Sequence, residues 1–204
     1  MDTATLPLAR YSRGAIALHW IIALLIALNF AAAWVAEDMP KPDAALVMAN
    51  HKAIGITVLV LTVLRIVWKL AHSAPPLVET LKAWEAALAK VTHVLLYGLM
   101  LAIPLAGWGL HSAFGQGKPV SIFGLFNVPA LPVGSDKPTI GMFHELHEIT
   151  ATLMLVLLAI HVGVHHRARH RQRVAARHTR GHVGVRVGGV GRPRGVGHGA
   201  ECLP

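Results

Sequence analysis

The stretch FHELHEITATLMLVLLAIHV, residues 143–162, decides how this chain is read. It is apolar enough to lie in a bilayer, yet it holds His147 near its start and His161 near its end. Fourteen residues of α-helix rise ~21 Å and return both imidazoles to nearly one face, at opposite depths. An ionisable side chain inside a membrane segment is by default a functional hypothesis.

Working outward, three more stretches have the length and apolar character of a bilayer crossing, which takes about 20 residues. With the quoted stretch they give spans over Gly14–Ala36, Lys52–Leu70, Thr92–Leu110 and His147–Val164. The chain has 204 residues, 54% of them hydrophobic and 14% charged, a composition too charge-poor for an ordinary soluble domain. The expected fold class is all-α and integral to the membrane: a four-transmembrane-helix bundle in one domain. Arg65 in the second span and Pro104 in the third are tolerable inside such a bundle. The first span follows Arg10 and Arg13 but is longer than a signal-peptide core and carries His19 and Trp20, so it reads as a retained helix.

Charge divides the chain in two. Residues 1–166 hold ten Lys/Arg and nine Asp/Glu, whereas residues 167–204 hold nine Arg and one Glu. The domain reading is therefore a membrane domain over 10–166 and a basic Arg/Gly/His-rich tail over 167–204, expected to be disordered or the product of a changed reading frame. From Val164 onward the apolar pattern degrades, so the fourth helix is expected to end near there. Arg10, Arg13, Arg65, Lys69, Lys82 and Lys90 fall on one side of the spans. Lys41, Lys52, Lys118 and Lys137 fall on the other, beside Glu37, Asp38, Asp43 and Asp136. That bias places both termini in the cytoplasm.

The connections carry their own signals. Prolines in AEDMPKPDAAL mark a turn after the first span, and the second helix is expected to open at NHKAIG. After the Pro75-Pro76 break, Leu81, Trp84, Leu88 and Val91 describe either an interfacial helix or an early start of the third. The long loop His111–Met142 holds Ile122, Phe123, Leu125 and Phe126 among Gly and Pro, and is expected to fold back over the outer mouth of the bundle.

Among the 14 histidines, depth selects four. His19 lies near the inner end of the first span, His51 at the head of the second, and His147 and His161 at the two ends of the fourth. The depth-matched pairs are His19 with His161 and His51 with His147, each bridging two helices. Such pairs are what two haem b groups held by bis-histidine ligation require. Iron with two imidazoles has no open position, so electron transfer is expected rather than oxygen binding. Cys202, the single cysteine, excludes an Fe–S cluster and CxxCH attachment, so the haems are noncovalent. A zinc site would need its ligands to converge on one point, and a proton relay would want Asp or Glu within the spans.

His144 is a poorer outer ligand than His147, being rotated roughly 100° from the face of His161, and is expected in the loop or at the helix cap. His93 reads as a hydrogen-bonded bundle histidine or a propionate or quinone contact; His72 and His111 lie at membrane boundaries. Arg65 follows His51 by the same 14 residues that separate His147 from His161. A buried Arg needs an anionic partner, which a haem propionate at the inner depth supplies; the alternative is that it snorkels with Lys69 to the interface.

The stretches RYSRGAIALHW, NHKAIGITVLVLTVLRIVWK, THVLLYGLMLAIPLAGWGL, PVSIFGLFNVPAL and FHELHEITATLMLVLLAIHV resemble, in order and spacing, the bacterial cytochrome b561 family. The resemblance covers Arg10–Val164 and implies a dihaem inner-membrane cytochrome with its ligands at His19, His51, His147 and His161. It also implies ubiquinone as electron acceptor and, since the family includes a superoxide:ubiquinone oxidoreductase, superoxide or a redox protein as donor. Lipid is the remaining expected partner, and no nucleic acid is expected. Two other functions fit the same sequence. One is a noncatalytic electron-transfer subunit of a membrane dehydrogenase or hydrogenase; the other is a haem-free transporter or metal-binding membrane protein.

Overall fold

The computed structural model of the chain describes residues 13–72 and 83–185. Arg10, the Pro75-Pro76 break, Leu81, Lys82 and the tail from residue 186 on lie outside the described residues. Helices α1 (Arg13–Glu37), α2 (Lys41–Ala71) and α3 (Ala83–Phe114) are followed by strands β1 (Val120–Ile122) and β2 (Phe126–Val128), then by α4 (Lys137–Val185). Two compact units divide the chain, Met1–Ala159 and Ile160–Pro204.

Four segments are long and apolar enough to cross a membrane: Arg13–Glu37, Lys41–Ala71, Lys90–Phe114 and Lys137–Gly163. Helix is the form such segments take because it satisfies every backbone N–H and C=O where no water can. Trp20, Leu24, Leu46, Val60, Val94 and Ile149 all point outward and are exposed. A girdle of apolar side chains this tall is a lipid-facing surface rather than a soluble one. Inside the first unit many of the buried positions are modest in size, among them Ala53, Val58, Thr62, Ala106 and Ser112. Small residues of this kind let helix backbones approach closely where lipid leaves little hydrophobic drive for association.

The helix boundaries differ from the sequence-based ones in an informative way. Helix α2 opens at Lys41, not at NHKAIG, so His51 is its eleventh residue rather than its head. Pro40 is the N-cap and Pro42 sits in the first turn, where a missing N–H and a fixed φ favour helix initiation. Asp43 adds a carboxylate at the positive end of the helix dipole. The prolines thus start a helix instead of holding a turn open. Helix α3 is continuous from Ala83, the early start rather than a separate interfacial helix. Helix α4 opens at Lys137, and its backbone stays helical to Val185, well past Val164. Arg, Ala and Gln dominate Arg167–Arg177 and are good helix formers even without an apolar face.

Between α3 and α4 the chain forms a short antiparallel hairpin, with Val120 opposite Val128 and Ile122 opposite Phe126. Its turn uses left-handed backbone at Phe123 (φ 51°) and Gly124 (φ 75°), closed by the Leu125 N–H donating to the Ile122 carbonyl at 2.9 Å. Val120 and Ile122 pack on Ala53 and Ile56 of α2, with Trp108 and Val128 alongside. The Trp108 indole N–H donates to the Pro129 carbonyl at 3.1 Å, and the Leu131 N–H donates to the buried Ser112 hydroxyl at 2.9 Å. The apolar loop therefore folds back on the bundle, two to five residues from His51.

Candidate functional site

His51 and His147 meet at this hairpin end. Their ring centroids are 6.1 Å apart with planes at 73°, although 96 residues separate them in the chain. Both rings are half-buried. Each is held by the same device. His51 Nδ1 lies 3.1 Å from the Asn29 carbonyl of α1, and His147 Nδ1 lies 3.0 Å from the Ile103 carbonyl of α3. A carbonyl only accepts, so in each neutral ring Nδ1 carries the proton and Nε2 keeps the lone pair. That is the arrangement of a metal-ligating histidine, with its second nitrogen anchored to backbone.

The backbone of α3 makes room for one of these rings. A Cβ at Gly107 would stand 3.1 Å from Cε1 and Nδ1 of His147. One turn-half later, a Cβ at Gly109 would run into the ring of Phe143. Two glycines on α3 therefore admit two aromatic side chains from the first turns of α4. Nothing comparable crowds His51: a Cβ at Gly55 would meet only the Asn29 amide nitrogen, at an ordinary 3.8 Å.

At the opposite end of the first unit stand His19, Arg65, Tyr97 and Lys69. The Arg65 Nε–H donates to the Tyr97 hydroxyl at 3.0 Å. Its Nη1 donates to the Ala15 carbonyl, also at 3.0 Å, one helical turn before His19. The Lys69 ammonium lies 5.1 Å from the centre of the Tyr97 ring. His19 is exposed on α1, edge-on to Trp20 at 5.6 Å. His161 is at the start of the second unit, so its pairing with His19 rests on helix register alone. His93, one turn before Tyr97, is exposed on α3.

The remaining histidines sort plainly. His144 is within α4 rather than in the loop, exposed and 3.6 Å from Glu148. His111 ties the hairpin end together: Lys52 donates to its Nδ1 at 3.5 Å, and its Nε2 faces the Pro119 carbonyl at 3.4 Å. His72 ends α2, bonded to the Trp68 carbonyl at 3.0 Å and stacked on the Trp68 ring at 4.4 Å. Among the described residues no three His, Cys, Asp or Glu side chains gather as a metal cluster.

Four contributors were not picked out from sequence: Asn29, Ile103, Tyr97 and Gly107. Asn29 and Tyr97 were detectable in principle as polar interruptions of apolar spans. Ile103 acts through its carbonyl and Gly107 through its missing side chain, and neither property leaves a mark on hydropathy.

Comparison with known proteins agrees with this architecture. Residues 10–180 match the family model described as prokaryotic cytochrome b561. "Cytochrome b561 homolog 1" of Escherichia coli (strain K12) is 33% identical over 156 residues, 76% of this chain and 86% of that protein. "Cytochrome b561 homolog 2" of the same organism is 31% identical over 123 residues, 59% of this chain and 64% of that protein. "Probable superoxide oxidase CybB" of Yersinia pestis is 27% identical over 158 residues, 77% of this chain and 89% of that protein.

Proposed function

The chain belongs to the prokaryotic cytochrome b561 family of membrane electron-transfer proteins, which bind b-type haem, and from that premise we propose that it is a dihaem quinone reductase. Its inner-membrane bundle takes electrons from a donor at the hairpin end, superoxide foremost, and delivers them to ubiquinone. In this reading His51 and His147 hold one noncovalent haem b and His19 and His161 the other.

The observation that carries the reading is the His51–His147 pair. Two imidazoles sharing one metal, with metal–nitrogen bonds of about 2 Å, have ring centres roughly 6 Å apart once each ring's own radius is added. The 6.1 Å separation fits. The bonds to Asn29 and Ile103 hold the two rings in the tautomer that offers Nε2. When bound, the haem supplies a one-electron iron couple with no open coordination site. The protein's part is to orient the imidazoles, to surround them with apolar helix and to keep competing ligands away. His144 is one such competitor, and it is turned to the surface beside Glu148. For the second haem, support comes from helix register and from Arg65, anchored one turn from His19.

Lys52, beside His51 and bonded to His111, belongs to the same end as Lys118 and Lys137. Positive charge there favours approach of an anionic donor. The distribution of Lys and Arg supports cytoplasmic termini, with the hairpin end facing outward. The test is a pyridine haemochrome count on the purified chain, followed by superoxide-driven ubiquinone reduction in vesicles. Two haems per chain and quinone reduction that slows as salt rises are expected. A single haem removes the four-histidine assignment. Two haems without superoxide-dependent turnover, and a dehydrogenase that co-purifies, point instead to a noncatalytic subunit.

A further inference from the structure

Among the described side chains no carboxylate forms an ion pair with the cations at the His19 end. No Asp or Glu occurs in 13–36 of α1, 44–71 of α2 or 90–114 of α3, yet Arg65 and Lys69 occupy one face of α2, four residues apart. Arg65 is half-buried. Among the described residues its guanidinium makes two bonds, to Tyr97 and Ala15, and a guanidinium has five N–H donors. Tyr97 receives the Nε–H, and among the described residues its own hydroxyl proton has no acceptor. Lys69 brings a second positive charge to the ring of the same tyrosine. The set therefore combines two positive charges with several unspent donors, fixed to α1 and α3 at the level of Ala15.

We propose that Tyr97 is a positioning residue: it locks the Arg65 guanidinium between α1 and α3 so that arginine, tyrosine and Lys69 together receive a haem carboxylate at the His19 end. The inference rests on the dihaem reading above and deepens it. Haem b carries two propionates, matching two cations in charge. The Tyr97 bond matters because a free arginine side chain reaches water easily by snorkelling. With Nε and Nη1 both tied, the fork is held in place before the carboxylate arrives, and little side-chain freedom is left to lose on binding. Cationic charge beside a haem favours its reduced, less positive state, so the lock is legible in a redox potential.

The experiment is a spectroelectrochemical titration of the full-length holoprotein in nanodiscs of zwitterionic lipid. Wild type, Arg65→Gln, Tyr97→Phe and the double variant are compared, each with its haem count. Arg65→Gln is expected to lower the midpoint potential of one haem and leave the other unchanged. Tyr97→Phe is expected to lower the same haem by a smaller amount and to add nothing once Arg65 is already Gln. Arg65→Lys, which keeps the charge but loses Nε, serves if the Gln variant does not fold, and is expected to shift the same haem in the same direction. Unchanged potentials in Tyr97→Phe, equal shifts of both haems, or a Tyr97→Phe effect that persists without Arg65 each overturn the proposal. Potentials that respond only when anionic lipid is added assign the cations to a lipid phosphate and overturn it too. A wild-type chain without a second haem fails the dihaem reading itself, a result separate from two haems that do not respond.

Discussion

Helices α2 and α4 begin alike and end differently. Both open on Lys-Pro, at Lys41-Pro42 and Lys137-Pro138, and both set a histidine ten residues later, His51 and His147. Each histidine is anchored through Nδ1 to a carbonyl of the helix that precedes it, Asn29 in α1 or Ile103 in α3. Fourteen residues further on, the same register holds Arg65 in α2 but His161 in α4. One position offers a fixed cation and the other an imidazole. In the dihaem reading proposed above, one of these equivalent slots supplies a charge partner and the other a ligand, and residue type makes the difference.

The largest test of that comparison is haem content. His51→Ala and His147→Ala are each expected to lose the same haem, halving the haemochrome signal per chain. At the later position the two helices should part: His161→Ala loses the other haem, whereas Arg65→Gln retains both. Equal losses at Arg65 and His161 would erase the distinction between ligand and charge partner.

The glycines come next. Gly107→Ala puts a methyl 3.1 Å from the His147 ring and is expected to disturb the bond to Ile103. Loss of such an outer-shell anchor lowers metal affinity by about 10–100-fold, measurable by haem titration of apoprotein. Gly55→Ala, with 3.8 Å to spare near Asn29, should leave the titration unchanged. A smaller contrast concerns two buried threonines. The Thr150 hydroxyl donates to Leu146 and shares with His147, while the Thr62 hydroxyl has no partner among the described residues. Thr150→Val is expected to lose about 1 kcal/mol of stability and Thr62→Val to be neutral or stabilising, by reversible unfolding in mixed micelles.

The smallest effect is at the helix starts. Asp136 accepts from the Thr139 hydroxyl at 2.7 Å and from the Thr139 N–H at 3.2 Å, whereas α2 starts on Pro40 with no side-chain cap. The Thr139 hydroxyl first, and then its amide, hold the Asp136 carboxyl below its usual range. A depressed carboxylate pKa stabilises the folded form above the ordinary value, and that contribution is lost as pH falls through the lowered one. Acidification should therefore loosen the first turn of α4, which has a side-chain cap to lose, by more than that of α2, which has none. Hydrogen-exchange protection at residues 137–140 and 41–44, corrected for intrinsic rate, checks this.

Much of the architecture is legible without coordinates. Twenty apolar residues in a row must become helix in lipid, so the four crossings follow from local composition. The equal 14-residue intervals in α2 and α4 follow from counting. The starts of those helices were less legible, because a proline in the first turn and a proline in a loop look alike in sequence. Pro40 and Pro42 begin α2 where a turn was expected. Apolar residues in the interhelical loop indicated that it would fold back, but the pairing of Val120 with Val128 depends on a turn with left-handed backbone at Phe123 and Gly124.

What the sequence by itself determined is the membrane class, the equal 14-residue spacing in two of its helices and the contrast between Arg65 and His161. Only the tertiary structure decided how closely His51 and His147, paired by depth in the sequence, come together, that Asn29 and Ile103 anchor them, and that Tyr97 holds Arg65. Hydropathy and helical spacing are properties of a few adjacent turns. The bonds that aim these side chains span 22, 44 and 32 residues, and they depend on how far each helix is rotated and raised against its neighbours, which no local window contains.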